Sequence, residues 1–386
     1  MRYITADRIF SGKEFFATDT VLVMGKKNNI DDITSIDRVE KSNVQHLKGI
    51  ITPGFINTHC HLELSHLKGI IKSHTGIVDF GLSVIKHRND ESPEAQLEAM
   101  LKADKEMQEQ GIVAVGDISN TTASVEAKKQ SGLYYHTFVE LIGLNPERAE
   151  IVFDSGKIVL ADFEKNNLSA SLAPHASYSA SPKLINQITD HCHSINKPTS
   201  IHNQESKAEN DFFLSKTGDY LRLYETLNLS IDYFKATGKT SLQSISPALK
   251  NNIHTLLVHN TFIAKEDIEV VQKMHSNLYW CLCPNANLYI ENTLPDISLL
   301  NAMGCALTLG TDSLASNSNL SIIDEINTIL KYYPNTPLEI LFQAATFNGA
   351  QFLGLENTFG LITKNRSCGI NLMEGNPGKF SVKKIS

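Results

Sequence analysis

From Ile51 onward, short apolar runs alternate with longer stretches whose apolar residues recur every three or four positions, a βα rhythm. Eight runs read as strands: "GIITPGFINTH" (49–59), "GIVAVGDIS" (111–119), "LYYHTFVELIG" (133–143), "LSASLAPH" (168–175), "KPTSIHN" (197–203), "HTLLVHN" (254–260), "NLYWCLCP" (277–284) and "GCALTLGTD" (304–312). Eight parallel strands with intervening helices close a (β/α)8 TIM barrel. Two connecting segments, "SPEAQLEAMLKADKEMQEQG" and "SPKLINQITDHCHSINKP", open on Ser-Pro, keep helical spacing and stop at Gly or Pro. The flanks are different. Residues 1–50 hold short alternating stretches such as "TVLVMG", and 350–386 hold "GLITKNRSCGINLME". Neither end is long enough to bury a core alone, so the pattern predicts one small β-sandwich domain built from both ends and an α/β barrel over 51–349.

Composition narrows the class. A hydrophobic content of 41% with 20% charged residues is that of a globular chain with a large core. A formal net charge of -7 without a Lys/Arg run argues against nucleic acid or an anionic membrane surface as partner, and in favour of a small-molecule substrate. The stretch "MRYITADRIFSGKEFF" lacks the apolar core of a signal peptide, and no run approaches the roughly 18 apolar residues of a membrane helix. Six scattered cysteines fit a reducing compartment, so a cytoplasmic protein is expected. Cys281 and Cys283 read as core residues of a buried strand. Homo-oligomerisation is left open.

Candidate chemistry starts at "FINTHCHLELSH". Side chains on a strand alternate with period two, so His59 and His61 project to one side and can share a metal ion. The same tripeptide recurs in "DHCHS", but there the pattern is helical, and residues two apart point about 200° from each other. His191 and His193 therefore read as exposed histidines at a helix end, where they also suit the dipole. Further strands end with His175, His202, His259 and Asp312, at the face where barrel active sites are built.

The segments "PGFINTHCHLELS", "APHASYSAS", "IHNQES", "LVHN", "CPNANLYI" and "LGTDSLASN" resemble, in order, the signature segments of the amidohydrolase superfamily, in its cytosine-deaminase-like and chlorohydrolase-like branch. They are closest in motif to aminodeoxyfutalosine and S-adenosylhomocysteine deaminases. The resemblance implies that His59, His61, His202 and Asp312 bind one divalent metal, and imidazole with carboxylate suits Zn²⁺ or Fe²⁺. "SLAPHAS" holds His175 and no lysine where two-metal relatives carry a bridging carbamylated lysine, so a mononuclear site is expected. The family assigns Asp312 to the water's proton, His259 to holding the attacking oxygen, and Glu205 of "HNQE" to proton shuttling. Glu63 and His175 fall where relatives touch substrate, whereas Glu209 reads as part of a solvated helix. Ser313 and Ser316 read as small residues that make room beside Asp312. The tail "SCGINLM" departs from the family, with Asn371 in place of an acid.

The function expected from these residues is hydrolytic deamination of an aromatic amine, foremost the adenine ring of a nucleoside. Displacement of chloride or opening of a cyclic amide is the alternative on the same barrel. A catalytically inactive binding protein would have lost metal ligands, whereas every ligand position here is filled. The two H-x-H copies separate in a direct test. His59→Ala and His61→Ala lose metal and activity, measured by metal analysis and turnover, while His191→Ala and His193→Ala keep both; equal damage from the second pair contradicts the geometric assignment.

Overall fold

A computed structural model describes residues 2–25 and 29–385. The chain starts with β1 (Arg2–Ile9), β2 (Thr20–Met24), β3 (Ile30–Ser35) and β4 (Val44–Pro53). It continues with β5 (Phe55–Cys60), β6 (Ile112–Ser119), β7 (Tyr134–Leu141), β8 (Ser169–Pro174), β9 (Thr199–Asn203), β10 (Thr255–His259), β11 (Leu278–Leu282) and β12 (Ala306–Leu309), and ends with β13 (Ile370–Asn376) and β14 (Lys379–Lys384). Strands β5 to β8 and β9 to β12 form two parallel four-stranded sheets. Parallel bridges Cys60–Asp312 and Ala176–His202 join them edge to edge.

Period two explains the packing. Ile56, Ala114, Phe138, Ala173, Leu256, Val258 and Cys281 share one apolar cluster with Ala350 and Phe352. Their strand neighbours Phe55, Val115, Val139, Leu172 and Leu257 belong to a second cluster with the surrounding helices. A strand buried on both faces reads as a continuous apolar run, which is why "TLLVH" stands out in the sequence. The helices Pro93–Glu109 and Pro182–Ser194 start as expected, with Ser92 Oγ accepting from Ala95 N and Ser181 Oγ from Leu184 N, each at 3.3 Å.

One run was two strands. Residues 49–59 span the end of β4, where Ile51 pairs with Leu372, and most of β5, where Phe55 pairs with Ile112. The chain changes sheets at Gly54, where a Cβ would stand 2.3 Å from Val113 Cγ1. Thr52, the polar residue beside the crossing, is fully buried, so burial does not change there. The small β-domain takes strands from both chain ends, hydrogen-bonded in the order β14-β13-β4-β1-β2-β3 around Ile4, Leu22, Ile51, Ile370 and Leu372. Asn371, the family departure, donates from Nδ2 to Gly111 O at 2.9 Å, a bond that a carboxylate could not make. Among the described residues no helix is long and apolar enough to cross a membrane.

A buried ion pair lies under the turn that follows β5. Lys128 Nζ stands 2.6 Å from Asp117 Oδ2, with both side chains fully buried. Nζ also donates to Ser119 Oγ and Thr137 Oγ1, at 3.0 and 2.9 Å. Asp117 Oδ1 accepts from Leu62 N at 2.8 Å, which ties the residue after His61 to β6. Removing one member leaves the other charge uncompensated, so Lys128→Met should cost about 3–5 kcal/mol in denaturant unfolding. A loss below about 1 kcal/mol, the range of an exposed pair, contradicts this account.

Candidate functional site

His59 and His61 leave β5 on one side, their ring centroids 4.9 Å apart. His202 from β9 completes a group whose ligating atoms lie within 4.8 Å of one another. Asp312, just past β12, places Oδ1 3.7 Å from His59 Nε2 and 3.5 Å from His61 Nε2. The four side chains fit a divalent cation on this structure's own terms. His59 is fully buried, and neither ring nitrogen has a hydrogen-bond partner. His61 Nε2 and His202 Nε2 face each other at 3.3 Å. His202 Nδ1 contacts His175 O at 2.7 Å, a contact that requires the proton on Nδ1 and leaves Nε2 as a lone pair. Converging lone pairs and one carboxylate oxygen need a positive centre.

The backbone is bent to make this convergence. Asp312 and His259 have φ of 55° and 75°, a left-handed conformation that side-chain-bearing residues adopt at a cost. At Gly310 a Cβ would stand 2.7 Å from His59 Cβ, so glycine lets β12 approach β5. Ser316 Oγ donates to Asp312 Oδ2 at 2.6 Å and leaves Oδ1 facing the imidazoles. Ser316 is thus more than the spacer expected from its size. Burial alone would raise the Asp312 carboxyl, but His59, His61 and His259 hold it below the usual carboxylate range.

Glu205, in the turn after β9, is almost fully buried, with Oε1 3.6 Å from His259 Nε2. Burial pushes its carboxyl well above the usual range, and the nearby Asp312 and Glu209 carboxylates add to the effect. Burial thus favours its neutral acid form. Burial also lowers His259 to about 4, against the opposing pull of Asp312, so this ring is neutral. Its Nδ1 contacts Asn287 Oδ1 at 2.8 Å, which leaves Nε2 free toward Glu205. A carboxyl whose acid form is favoured, a neutral imidazole and a carboxyl whose ionised form is favoured thus stand side by side.

His61, His202, Glu205, His259 and Asp312 line a cavity of about 270 Å³, together with His175, Glu140 and Asn120. His175 Nδ1 contacts Ser179 Oγ at 2.5 Å, and its ring lies 4.9 Å from that of His202. Glu63 departs from the expected substrate contact: it is absent from the cavity wall, and its carboxylate accepts from Asn120 N and Thr121 Oγ1 at 3.2 and 2.9 Å. Thr121 lies just past β6, so these bonds tie the short helix after His61 to that strand end and use both Glu63 oxygens.

Glu209 corrects the solvated-helix expectation. It is fully buried, and Oε1 accepts from Ser177 Oγ at 2.7 Å while Oε2 accepts from Glu205 N at 3.2 Å. The polar string "ESKAEND" gave no sign of burial, because the helix Lys207–Ser215 turns its first-turn acid toward the β8 loop. Glu140 is the other residue not singled out in the sequence. Its Oε2 accepts from Asn120 Nδ2 at 2.8 Å, while its Oε1 is buried without a partner, 3.5 Å from His202 Nδ1. The signal was present, since Glu140 is a polar residue near the end of a strand run, as the histidines are.

The second H-x-H stays out of the site. His191 and His193 lie in the helix Pro182–Ser194; His191 is half-buried with its ring 5.8 Å from that of Phe153, and His193 is exposed. Cys281 and Cys283 are buried free thiols, as expected of a core strand.

Comparison with known proteins agrees with this architecture. The chain is 27% identical over 328 residues to an adenosine deaminase of Helicobacter pylori, covering 84% of this chain and 78% of that one. It is 25% identical over 397 residues to an aminodeoxyfutalosine deaminase of Nitratiruptor, covering 100% and 94%. The crystal structure of Helicobacter pylori aminofutalosine deaminase with methylthio-coformycin superposes with a TM-score of 0.79 at 24% identity, over 97% of this chain and 93% of that one. The model of the amidohydrolase family matches residues 50–385, from within β4 through the eight parallel strands β5 to β12 and past the end of β14. With its strand-end cluster of three histidines and an aspartate, this chain is a metal-dependent enzyme of the amidohydrolase family.

Proposed function

We propose that this enzyme hydrolytically deaminates an aromatic amine, the adenine ring of a nucleoside such as aminodeoxyfutalosine or S-adenosylhomocysteine, with one ion, Zn²⁺ ahead of Fe²⁺, on His59, His61, His202 and Asp312. The observation that carries the reading is Glu205, a buried carboxyl 3.6 Å from His259 Nε2 whose acid form burial favours. The deaminases named among its relatives support it.

A divalent ion, when bound, makes hydroxide available near neutral pH by lowering the pKa of water from 15.7 toward roughly 7. Asp312 takes the proton released from the water, and His259 accepts a hydrogen bond that keeps the oxygen in line. Glu205 gives its proton to the ring nitrogen next to the amine-bearing carbon as the oxygen adds to that carbon. When the C–N bond breaks, the amine takes the proton from Asp312 and leaves as ammonia. The hydroxyl proton on the new C–O group returns to Glu205, so each group ends as it began. His175 and Glu140, on the cavity wall, are placed to orient the substrate.

Chloride displacement is the second reading on the same barrel. Chloride leaves as a stable anion and needs no proton, so the proton that Asp312 carries to the leaving amine would have no use there. Glu205→Gln keeps size and polarity but cannot exchange a proton: metal is retained and ammonia release falls by about 10² to 10⁴. Asp312→Asn lowers both metal content and rate. Near-full deaminase activity in metal-loaded Glu205→Gln removes the shuttle role, whereas chloride release from a chlorinated heteroaromatic without ammonia release from adenine nucleosides favours the second reading.

A further inference from the structure

One carboxyl away from the cavity wall is bonded toward both Asp312 and His259. Glu325, in the first turn of the helix Ile322–Tyr332, is fully buried. Burial pushes its carboxyl up to about 8, and what opposes burial is hydrogen bonds from Asn285 and Asn317 rather than a cation. Both oxygens accept: Oε2 from Asn285 N at 2.9 Å, and Oε1 from Asn285 Nδ2 at 3.0 Å and Asn317 Nδ2 at 2.8 Å. A buried acid held in this way calls for a reason, and the two asparagines lead to it.

The Asn317 arm ends at Asp312. Asn317 Nδ2 also donates to Thr311 O at 2.9 Å. Thr311 O and Asp312 N belong to one planar peptide group, and Asp312 N donates to His59 O at 3.1 Å. That peptide is gripped at both edges, next to the left-handed φ of 55° at Asp312. A strained backbone persists only where its surroundings over-determine it. The Asn285 arm ends at His259. Asn285 N is the first N–H of the helix Pro284–Glu291, since Pro284 has none, and the N-cap Cys283 supplies no side-chain bond. Glu325 caps this helix from another element, and the helix carries Asn287, whose Oδ1 contacts His259 Nδ1 at 2.8 Å.

Resting on the roles given to Asp312 and His259 in the deaminase reading, we propose that Glu325 is a positioning residue that fixes these two side chains against each other, so that both address the same water. Glu325 does not line the cavity and therefore acts only through its asparagines. Glutamine cannot replace it, because a single carbonyl oxygen cannot accept from the Asn285 backbone on one side and from two amides on the other. Its amino group would face a donor in either orientation.

The test has a spectroscopic and a kinetic arm. Zn²⁺ has a filled d shell and no visible bands, so Co²⁺ is loaded in its place. Glu325→Gln should shift the Co²⁺ bands, because the Asp312 oxygen moves; Asn317→Ala should give the same shift, and the double variant no further one. With Zn²⁺ in excess, Glu325→Gln should lower kcat for ammonia release by about 10²-fold, the scale of an ångström of misplacement, with KM within about twofold. Added to Asn287→Ala, it should lower kcat by less than it does alone. A carboxyl that served stability only would leave the spectrum of the metal-bound protein unchanged, lower kcat no further than the folded fraction and act additively with both variants; any of these results overturns the proposal. If Glu325→Gln fails to fold, Asn317→Ala decides, and an unshifted spectrum overturns the proposal. The spectra need no substrate. A shared shift in a protein that releases no ammonia from adenine nucleosides refutes deamination and supports the positioning role, whereas unshifted spectra in an active deaminase refute the positioning role alone.

Discussion

The site depends on the free oxygen of Asp312 standing among imidazoles, of which the buried His59 has no hydrogen-bond partner at either ring nitrogen. Asp312 Oδ1 is 3.7 and 3.5 Å from the Nε2 atoms of His59 and His61, and Ser316 occupies its other oxygen. Buried polar atoms without partners are costly, and a fold retains them where a ligand satisfies them. The same requirement accounts for the left-handed backbone at Asp312 and His259, for glycine at 310 and for the contact that leaves His202 Nε2 unprotonated. Each of these holds a lone pair in place.

Around that centre the protein divides proton affinity sharply over a few ångströms. Burial favours the acid form of Glu205 and the neutral form of His259, while the surrounding imidazoles favour the ionised form of Asp312. An acid and a base pushed apart in pKa are what a hydrolysis with proton delivery and recovery requires. Glu209 anchors the Glu205 backbone, and the Asp117–Lys128 pair anchors the turn after His61, so both catalytic loops are tied to buried charges.

The barrel was legible because parallel strands buried on both faces leave contiguous apolar runs, and their polar ends marked the site. His59, His61, His202, His259 and Asp312 all follow from that single rule. The rule failed where an apolar run crossed between sheets at Gly54, since burial does not change there. It also missed contacts set by tertiary packing. Glu209 sits in a polar string yet is buried against Ser177, and Glu63 is polar beside the metal motif yet is bonded to Asn120 and Thr121.

The central claim is that one cation at this cluster makes the chain a deaminase. It is tested most directly by stripping the enzyme with a chelator and restoring Zn²⁺ in steps while ammonia release from an adenine nucleoside is followed. The account predicts no release from the stripped protein, then a linear rise that breaks at about one ion per chain, as a four-ligand site implies. Deamination by the stripped protein, or a break at two ions per chain, would contradict it.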